Sequence, residues 1–537
     1  MSQLVPPPQE GAALSRRHLL SMIGSVAGGS VMYQAMTSLG HAAESNYRGP
    51  NALSPAKHKS SVLVLGAGLA GMTAAYELRA AGYQVQILEY QERAGGRCWT
   101  LRGGDKFTEL GGTTQKVGFA KGHYFNPGPW RIPYHHHAVL AYCKRFGVKL
   151  EPFVQVNYNA LVQSDTAFGG TPQRFRHLQA DTHGYVAELL SKSTQQGALD
   201  EAVNKEDRER LLEGLKTWGG LDKQYRYREG KASSDMRGFD RDPAGGLMPL
   251  AKPSKPIAMD ELLKANTWAQ IAEGNMYEFQ TAMFEPVGGM DMIAKGFERE
   301  VGSLIRHNAK VTKIEQSDTG VTVSFTDSKT LGATLQAKAD WCVCTLPLSI
   351  LSQIEVQVSS PMQQAIAAVP YGASFKAGLQ FKRRFWEEDE AIFGGISHTD
   401  LPIELISYPS NNFNTAGPGV LLGAYCFDNP NAYEFTGMSP ADRLRRVVEL
   451  GAKLHPQYTK EFDNGATVGW HRVPWVNGCF GLWTEATRKA HYNTLCAVDG
   501  RIVLAGEHAS YIPAWMEGSI LSALDAVKRL HEKAQAA

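Results

Sequence analysis

Near residue 60, the spacing of apolar and polar positions changes from that of a strand to that of a helix, and then back to that of a strand. A short apolar run at 62–65 precedes the glycine-rich segment Gly66-Ala67-Gly68-Leu69-Ala70-Gly71, a stretch with helical spacing, and a second apolar run at 85–88. Short continuous apolar runs bounded by turn residues are typical of buried strands. The pattern therefore predicts a strand, a turn, a helix and a strand, ending at Glu89.

The rest of the chain divides into a helix-rich part and a strand-rich part. Predicted helices cover 136–146, 183–219 and 259–283, with a loop rich in Gly, Pro and charge at 223–255. After residue 302 several short apolar runs alternate with polar residues, as strands do. Predicted strands cover 305–314, 321–326, 341–345, 375–381, 403–407, 420–426 and 501–507, and predicted helices cover 440–454 and 518–534.

The glycine-rich turn has the spacing of a dinucleotide-binding site. Gly66 allows the tight turn, Gly68 lets the backbone approach a pyrophosphate, and Gly71 lets the helix pack close to the strand. The helix N-terminus offers free N–H groups to phosphates. Glu89, at the end of the second strand, can accept hydrogen bonds from ribose hydroxyls. The turn alone does not distinguish FAD from NAD.

Composition narrows the class of protein. The 537 residues, 43% hydrophobic and 20% charged, exceed the usual size of one domain and provide an ample core. A net charge of +2 argues against a nucleic-acid partner. Seven cysteines do not form a disulfide framework in a chain this long, and Cys342 and Cys344 are expected to be buried thiols. Because consecutive residues such as His135-His136-His137 do not face one point, no metal site is predicted.

The N-terminus resembles a twin-arginine export signal. Arg16-Arg17 precedes a mildly apolar, Gly-rich stretch at 21–36 that is too short for a durable membrane span, and small residues at 40–43 suit cleavage. We therefore expect a periplasmic or extracellular protein without a stable membrane span after signal removal. A disordered leader that happens to contain Arg-Arg is the alternative.

Motifs at both ends of the chain resemble the flavin-dependent amine oxidases, and within them the L-amino-acid oxidases. The first comprises the glycine turn, Glu89 and Gly95-Gly96-Arg97; the second comprises residues 504–508 and 515–519. The similarity runs in order from about residue 61 to 528 and implies FAD as the cofactor. The residues that the resemblance assigns to FAD are Gly66, Gly68, Ala70, Gly71, Glu89, Gly96, Arg97, Gly112, Val311, Glu507, Trp515 and Met516.

The resemblance implies an α/β fold (α+β overall). A Rossmann-like FAD-binding domain, built from discontinuous segments, is expected beside a mixed-sheet substrate domain and a helical insertion. The predicted boundaries are an export signal (1–43), a linker (44–60), FAD-binding parts (61–112, 284–370 and 466–537), substrate-domain parts (113–170 and 371–465) and a helical domain (171–283).

Three further matches bear on the reaction. The segment 128–133 resembles the loop that supplies a carboxylate-binding arginine, here Arg131, and a guanidinium suits a carboxylate because it donates two parallel hydrogen bonds. Tyr408 resembles a tyrosine that binds the same carboxylate. Lys376 resembles the lysine that holds a water near the reactive flavin nitrogen. The alternatives are a surface salt-bridge arginine, a structural tyrosine and an edge-strand lysine.

Three residues are expected to complete the substrate pocket. Ala514 stands where many family members have Gly, and Trp515 and Trp470 are expected to form walls beside the flavin, although core packing is an equal alternative for Trp470.

The resemblance implies oxidative deamination of L-amino acids by FAD and molecular oxygen, which yields 2-oxo acids, ammonia and hydrogen peroxide. Arg131, Lys376 and Tyr408 are the expected catalytic residues. An amine or polyamine oxidase, an amino-acid 2-monooxygenase of the same fold, and a flavoprotein without turnover are the alternatives. A homodimer is one compatible assembly. The preferred side chain is not identified by the sequence.

Overall fold

The computed structural model describes residues 45, 47, 49, 53–57, 59–196, 204–330, 332–427 and 429–536. The predicted export signal at 1–43 lies outside the described residues, as do residues 44, 46, 48, 50–52 and 58 of the predicted linker. Within the described ranges, none of the helices has the length and apolar character needed to cross a membrane.

The predicted strand–turn–helix–strand unit is confirmed. Strand Ser61–Leu65 leads through the turn into helix Leu69–Ala80, and strand Gln84–Leu88 returns parallel to the first strand. Gly66 has φ of +98°, a conformation that favours glycine. A Cβ atom at Gly71 would lie 1.9 Å from the carbonyl oxygen of Gly66, so only glycine lets the helix begin this close to the turn.

This unit belongs to the first sheet, which has six strands within the described residues and is assembled from distant parts of the chain. All neighbours in it are parallel except the last pair. The strands, in spatial order, are Ile305–Arg306, Gln84–Leu88, Ser61–Leu65, Trp341–Cys344, Ile502–Leu504 and Val498–Asp499.

Both faces of the first sheet are covered, as a parallel sheet requires. On one face, apolar side chains pack against helices Leu69–Ala80, His137–Arg145, Asp291–Val301 and Met516–Ala536. The other face, which contains the buried thiols Cys342 and Cys344, packs against a four-stranded layer and small helices. The elements of that second layer are strands Leu335–Ala339, Gly320–Asp327, Ala309–Ser317 and Glu355–Val356 and helices Leu348–Leu351, Ser360–Ala367 and Glu485–Cys496.

The second sheet is mixed and has seven strands among the described residues. Strands Leu161–Gln163 and Ile396–Thr399 run parallel, and the other pairs are antiparallel. Its strands, in spatial order, are Gln173–Arg174, Leu161–Gln163, Ile396–Thr399, Leu405–Ser407, Gly419–Cys426, Phe375–Phe381 and Phe462–Gly469. The helices near it are Phe385–Glu388, Asn429–Thr436, Pro440–Gly451 and Tyr458–Glu461.

Helices occupy much of the segment 175–273, but the loop predicted at 223–255 is wrong in part. That segment contains helix Lys231–Arg237 and a hairpin of strands Phe239–Arg241 and Lys252–Pro253. The helix is fixed by the buried ion pair of Arg237 with Asp181, at 2.8 Å. The other helices of the insertion are Phe175–Gln195, Lys205–Trp218, Met259–Ala265 and Trp268–Glu273.

Small elements complete the fold. A three-stranded sheet, two two-stranded pairs and several 3₁₀ turns connect the layers. The strands of the three-stranded sheet are Ile132–Pro133, Met283–Pro286 and Leu150–Phe153. The two pairs are Leu101–Arg102 with Tyr124–Phe125, and Lys106–Thr108 with Thr114–Lys116. The 3₁₀ turns are Phe168–Gly170, Tyr277–Phe279, Gly302–Leu304, Trp470–Arg472 and Glu507–Ala509. The predicted mixed α/β architecture with a discontinuous parallel sheet is therefore confirmed.

The contact at Gly71 can be tested by Gly71→Ala. We expect the variant to lose about 1–3 kcal/mol of unfolding free energy and most of its bound FAD, because the added methyl group meets the Gly66 carbonyl oxygen. Gly214→Ala is the matched control, since this helical glycine has open space around it. Equal melting temperatures and FAD contents in the two variants would contradict the close approach.

Candidate active site

One large cavity opens at the carboxyl ends of the strands of the first sheet. Its walls include Gly66, Glu89, Thr345 and Gly506, each of which follows a strand of that sheet. Ligands of open α/β sheets bind at this edge. The space between its walls, including the opening to solvent, is about 1690 Å³. The walls run from the glycine turn at Gly66 to Arg131, so an extended ligand can lie along the cavity.

The end of the cavity near the glycine turn has the features of a dinucleotide site. A Cβ atom at Gly68 would meet no heavy atom within 4 Å, so the turn faces open space where a pyrophosphate can lie. The buried carboxylate of Glu89 accepts hydrogen bonds from the N–H groups of Ala67 (2.6 Å) and Gln91 (2.7 Å). Burial raises the pKa of Glu89, and these two bonds act against that rise.

The middle of the cavity contains an ion pair between a partly buried arginine and a buried glutamate. Arg97 donates to Glu507 Oε1 at 2.8 Å and to the carbonyl oxygen of Cys479 at 2.7 Å. Burial alone would raise the pKa of Glu507, but the charges of Arg97 and His508 hold it below its ordinary value. Glu507 is therefore ionised at neutral pH, and the pair joins the two predicted FAD motifs.

The other end of the cavity is aromatic and contains Arg131. The guanidinium carbon of Arg131 lies 4.5 Å from the ring centroid of Phe279, 5.1 Å from that of Trp130 and 5.8 Å from that of Trp515. Arg131 is 4% exposed and donates from Nη1 to Gln155 Oε1 at 2.8 Å. Its Nε has no hydrogen-bond partner among the described residues. Since a buried donor without a partner is costly, this end of the cavity suits an anionic ligand.

Lys376 lies directly behind the cavity wall. Its Nζ donates to the carbonyl oxygen of Gly128 at 2.5 Å and lies 3.9 Å from the ring centroid of Tyr425 and 4.7 Å from that of Trp130. Burial lowers the pKa of the Lys376 ammonium well below its ordinary value, and the charge of Arg131 acts in the same direction. The side chain thus contacts three residues of the wall.

The three predicted pocket residues all line the cavity. Trp470 is fixed by a 2.7 Å hydrogen bond from Nε1 to the carbonyl oxygen of Pro127. Ala514 has φ of +67° and precedes Trp515, whose ring meets that of His136 at a centroid distance of 4.9 Å. The structure therefore brings Arg131, Trp470, Ala514 and Trp515 to one cavity. Their contacts with a substrate stay predictions.

Tyr408 is placed elsewhere, which contradicts its predicted role beside Arg131. Its hydroxyl lies 2.7 Å from Ser397 Oγ and 2.5 Å from His455 Nε2, and it does not line the large cavity. The side chain packs in the core between the second sheet and its helices. Tyr425, the cross-strand partner of Lys376, does line the cavity.

Sequence reasoning could have found Tyr425 from strand alternation. Its neighbours Ala424 and Cys426 are buried in the core of the second sheet, so Tyr425 points to the opposite face. Other wall residues carried no motif signal. These missed residues are Tyr90, Phe279, Phe427, Trp475 and Cys479.

Most of the residues that the resemblance assigned to FAD line the cavity. Those residues are Gly66, Gly68, Ala70, Glu89, Gly96, Arg97, Glu507, Trp515 and Met516. Gly71 acts through the close approach of the helix instead.

Like Gly71, Gly112 and Val311 do not line the cavity. Gly112 is an exposed residue of a hairpin turn, and its neighbour Glu109 accepts hydrogen bonds from Arg443 (2.7 Å) and Gly469 (2.8 Å). That segment therefore ties the hairpin to the second sheet. The side chain of Val311 is buried in the core beneath the first sheet.

Of the three consecutive histidines, His135 and His136 pack against aromatic rings. The ring centroid of His135 lies 4.4 Å from that of Tyr277 in a stacked arrangement. In the part of the chain that the structure describes, no three His, Cys, Asp or Glu side chains are grouped so as to hold a metal ion.

The fold and the cavity define a flavoprotein oxidoreductase. The family model described as "Flavin containing amine oxidoreductase" matches residues 69–531, and the chain belongs to this family. Its cofactor is FAD, and the open turn at Gly68, Glu89 and the Arg97–Glu507 pair fit that group.

Relatives with names and known structures agree with this class. The chain is 28% identical over 505 residues to an L-amino-acid oxidase of Vipera ammodytes ammodytes, covering 90% of this chain and 95% of that protein. It is 27% identical over 480 residues to an L-amino-acid oxidase of Siganus canaliculatus, covering 88% and 85%. Cyclohexylamine oxidase from Brevibacterium oxydans IH-35A has a similar fold, with a TM-score of 0.58, 16% identity and coverage of 89% of this chain and 99% of that chain.

The placement of the two tyrosines can be tested with Tyr408→Phe and Tyr425→Phe. We expect Tyr408→Phe to lose about 1–2 kcal/mol of unfolding free energy, because its buried hydroxyl bonds to Ser397 and His455, and to keep its KM. Tyr425→Phe should raise the KM for the substrate, because Tyr425 lines the cavity, and should leave the melting temperature unchanged. A raised KM in Tyr408→Phe alone would restore the original assignment.

Proposed function

We propose that this protein oxidises L-amino acids to 2-oxo acids. The amino acid loses two electrons and two protons to give an imino acid, which water converts to a 2-oxo acid and ammonia. Molecular oxygen takes up the two electrons and two protons and becomes hydrogen peroxide. The observation that carries the proposal is the buried Arg131 with an unpartnered Nε, at the aromatic end of a cavity built for FAD.

Arg131 supports an amino acid over a simple amine. A buried guanidinium without a counter-ion is costly, and a substrate carboxylate supplies two charge-assisted hydrogen bonds. A simple amine brings no anion and would add a second cation to the same end. The names of the relatives that are L-amino-acid oxidases support this choice.

The residues around Arg131 orient the substrate and exclude water. FAD, when bound, supplies the acceptor for the hydride equivalent. Rings of Phe279, Trp130 and Trp515 surround the guanidinium, so the carboxylate would be held where water is scarce. Because the substrate amine must be neutral to release a hydride, activity should rise with pH through the pKa of that amine.

Lys376 is suited to proton transfer. Burial shifts the pKa of Lys376 downward, which favours an amine that can accept a proton and donate it again. The carbonyl of Gly128 and the rings of Tyr425 and Trp130 fix its position.

A peroxide assay on the FAD-loaded protein across the common L- and D-amino acids and simple amines tests the proposal. We expect peroxide, ammonia and a 2-oxo acid with L-amino acids. An amide and carbon dioxide would indicate a monooxygenase. Peroxide from amines alone would overturn the proposal in favour of an amine oxidase.

Arg131→Met should raise the KM for amino acids by about 100-fold or more, because two charge-assisted hydrogen bonds are lost. Arg131→Lys keeps the charge but lacks the planar guanidinium, so its KM should lie between those of the natural protein and Arg131→Met. The FAD spectrum and melting temperature serve as controls for folding. Unchanged KM in Arg131→Met would refute the carboxylate assignment.

Lys376→Met should slow reoxidation of the reduced flavin by oxygen more than it slows flavin reduction by the substrate. Stopped-flow absorbance under anaerobic and aerobic conditions measures the two steps separately. Equal slowing of both steps would argue against a role of Lys376 with oxygen.

A further inference from the structure

We propose that Gln155 and Glu273 are positioning residues. They orient the guanidinium of Arg131 and leave its remaining hydrogen-bond donors available to an anionic ligand. The inference rests on the proposed function of Arg131 and deepens it. It assigns to the helical insertion, through Glu273, a part in recognising the substrate carboxylate.

A line of hydrogen bonds leads away from Arg131. Arg131 Nη1 donates to Gln155 Oε1 at 2.8 Å, and Gln155 Nε2 donates to Glu273 Oε1 at 3.1 Å. The second carboxylate oxygen, Glu273 Oε2, lies 3.1 Å from His398 Nε2. The amide of Gln155 is therefore oriented from both sides, and it fixes one nitrogen of the guanidinium.

The four side chains come from four separate segments and meet in the interior. Arg131 is 4% exposed, Gln155 is 2% exposed and Glu273 is 6% exposed. Glu273 is the last residue of helix Trp268–Glu273, where a carboxylate faces the negative end of the helix dipole. Helix stability does not explain an acid at this position, whereas its contacts with Gln155 and His398 do.

The charges explain why a glutamine stands between Arg131 and Glu273. Burial alone would raise the pKa of Glu273, but His398 and Arg131 hold the pKa below its ordinary value, so the group is ionised. Its negative charge stabilises the buried guanidinium from a distance. A carboxylate in direct contact would occupy the donors that the substrate needs.

A second acid near Arg131, Glu278, also leaves the guanidinium available to a ligand, but for a different reason. Burial raises the pKa of Glu278 to about 8, although the charge of Arg131 acts against the rise. Glu278 is thus mostly protonated at neutral pH and does not neutralise Arg131. Glu273 therefore stabilises the charge of Arg131 from a distance, and Glu278 does not pair with it, so the guanidinium is still available to an anionic ligand.

The substitution Gln155→Glu tests this directly. We expect the new carboxylate to pair with Arg131 and compete with the substrate carboxylate, which would weaken binding by at least about tenfold. Gln155→Met, which removes the hydrogen bonds and keeps the size, and Glu273→Gln, which removes the charge and keeps the shape, should weaken binding less. Gln163→Met is the matched control, because Gln163 is equally buried and bonds to Asp165 and Thr399 beside His398.

The probe is benzoate, a carboxylate without an oxidisable C–N bond, and its Kd is measured from the change in flavin absorbance of the FAD-loaded enzyme. Melting temperatures and the limiting rate of flavin reduction by an amino acid are measured on the same variants. The expected result is a raised Kd in Gln155→Glu, Gln155→Met and Glu273→Gln, with Gln163→Met and the limiting rate unchanged.

Two results overturn the inference in distinguishable ways. If Arg131→Met raises the Kd for benzoate and Gln155→Glu binds it as the natural protein does, the positioning role fails and the role of Arg131 stands. If the natural protein does not bind benzoate, or Arg131→Met binds it equally well, the carboxylate site itself fails and the positioning role fails with it.

Discussion

The ion pair of Arg97 with Glu507 is the constraint on which the active site depends. It joins residues 410 positions apart in the sequence, one next to the first glycine turn and one near the last helix. The carboxylate of Glu507 is buried and would be costly without the partly buried guanidinium of Arg97. Because Glu507 also accepts from the N–H groups of Gly481 and Ala514, the pair sets the path of the chain on both sides of the cavity.

The two ends of the cavity differ in chemistry as a consequence of the elements that form them. At the first sheet, the wall is mostly backbone and glycine, which a phosphate-containing ligand can approach closely. Near the second sheet, the wall carries rings and one buried cation, which suit a small substrate with a carboxylate.

Sequence predicted the first unit well and the second sheet less well. The turn at Gly66 and the role of Gly71 follow from local backbone requirements, and Arg131 lies on a loop that reaches the cavity directly. Tyr408 was misplaced because its surroundings are set by strand pairing and by His455, which lies 47 residues away. Helix Lys231–Arg237 was missed because its buried partner, Asp181, lies 56 residues earlier. Neither contact leaves a periodic signal near the residue that makes it.

The order of strands in the first sheet also governs when the protein can acquire its cofactor. Strand Ser61–Leu65 is made long before Ile502–Leu504, which pairs with Trp341–Cys344. Pairings between such distant segments form slowly. A nascent chain therefore contains the phosphate-binding turn before the opposite wall, so stable retention of FAD must follow synthesis of Ile502–Leu504 and Glu507. From that moment the bound cofactor stabilises the folded state by mass action.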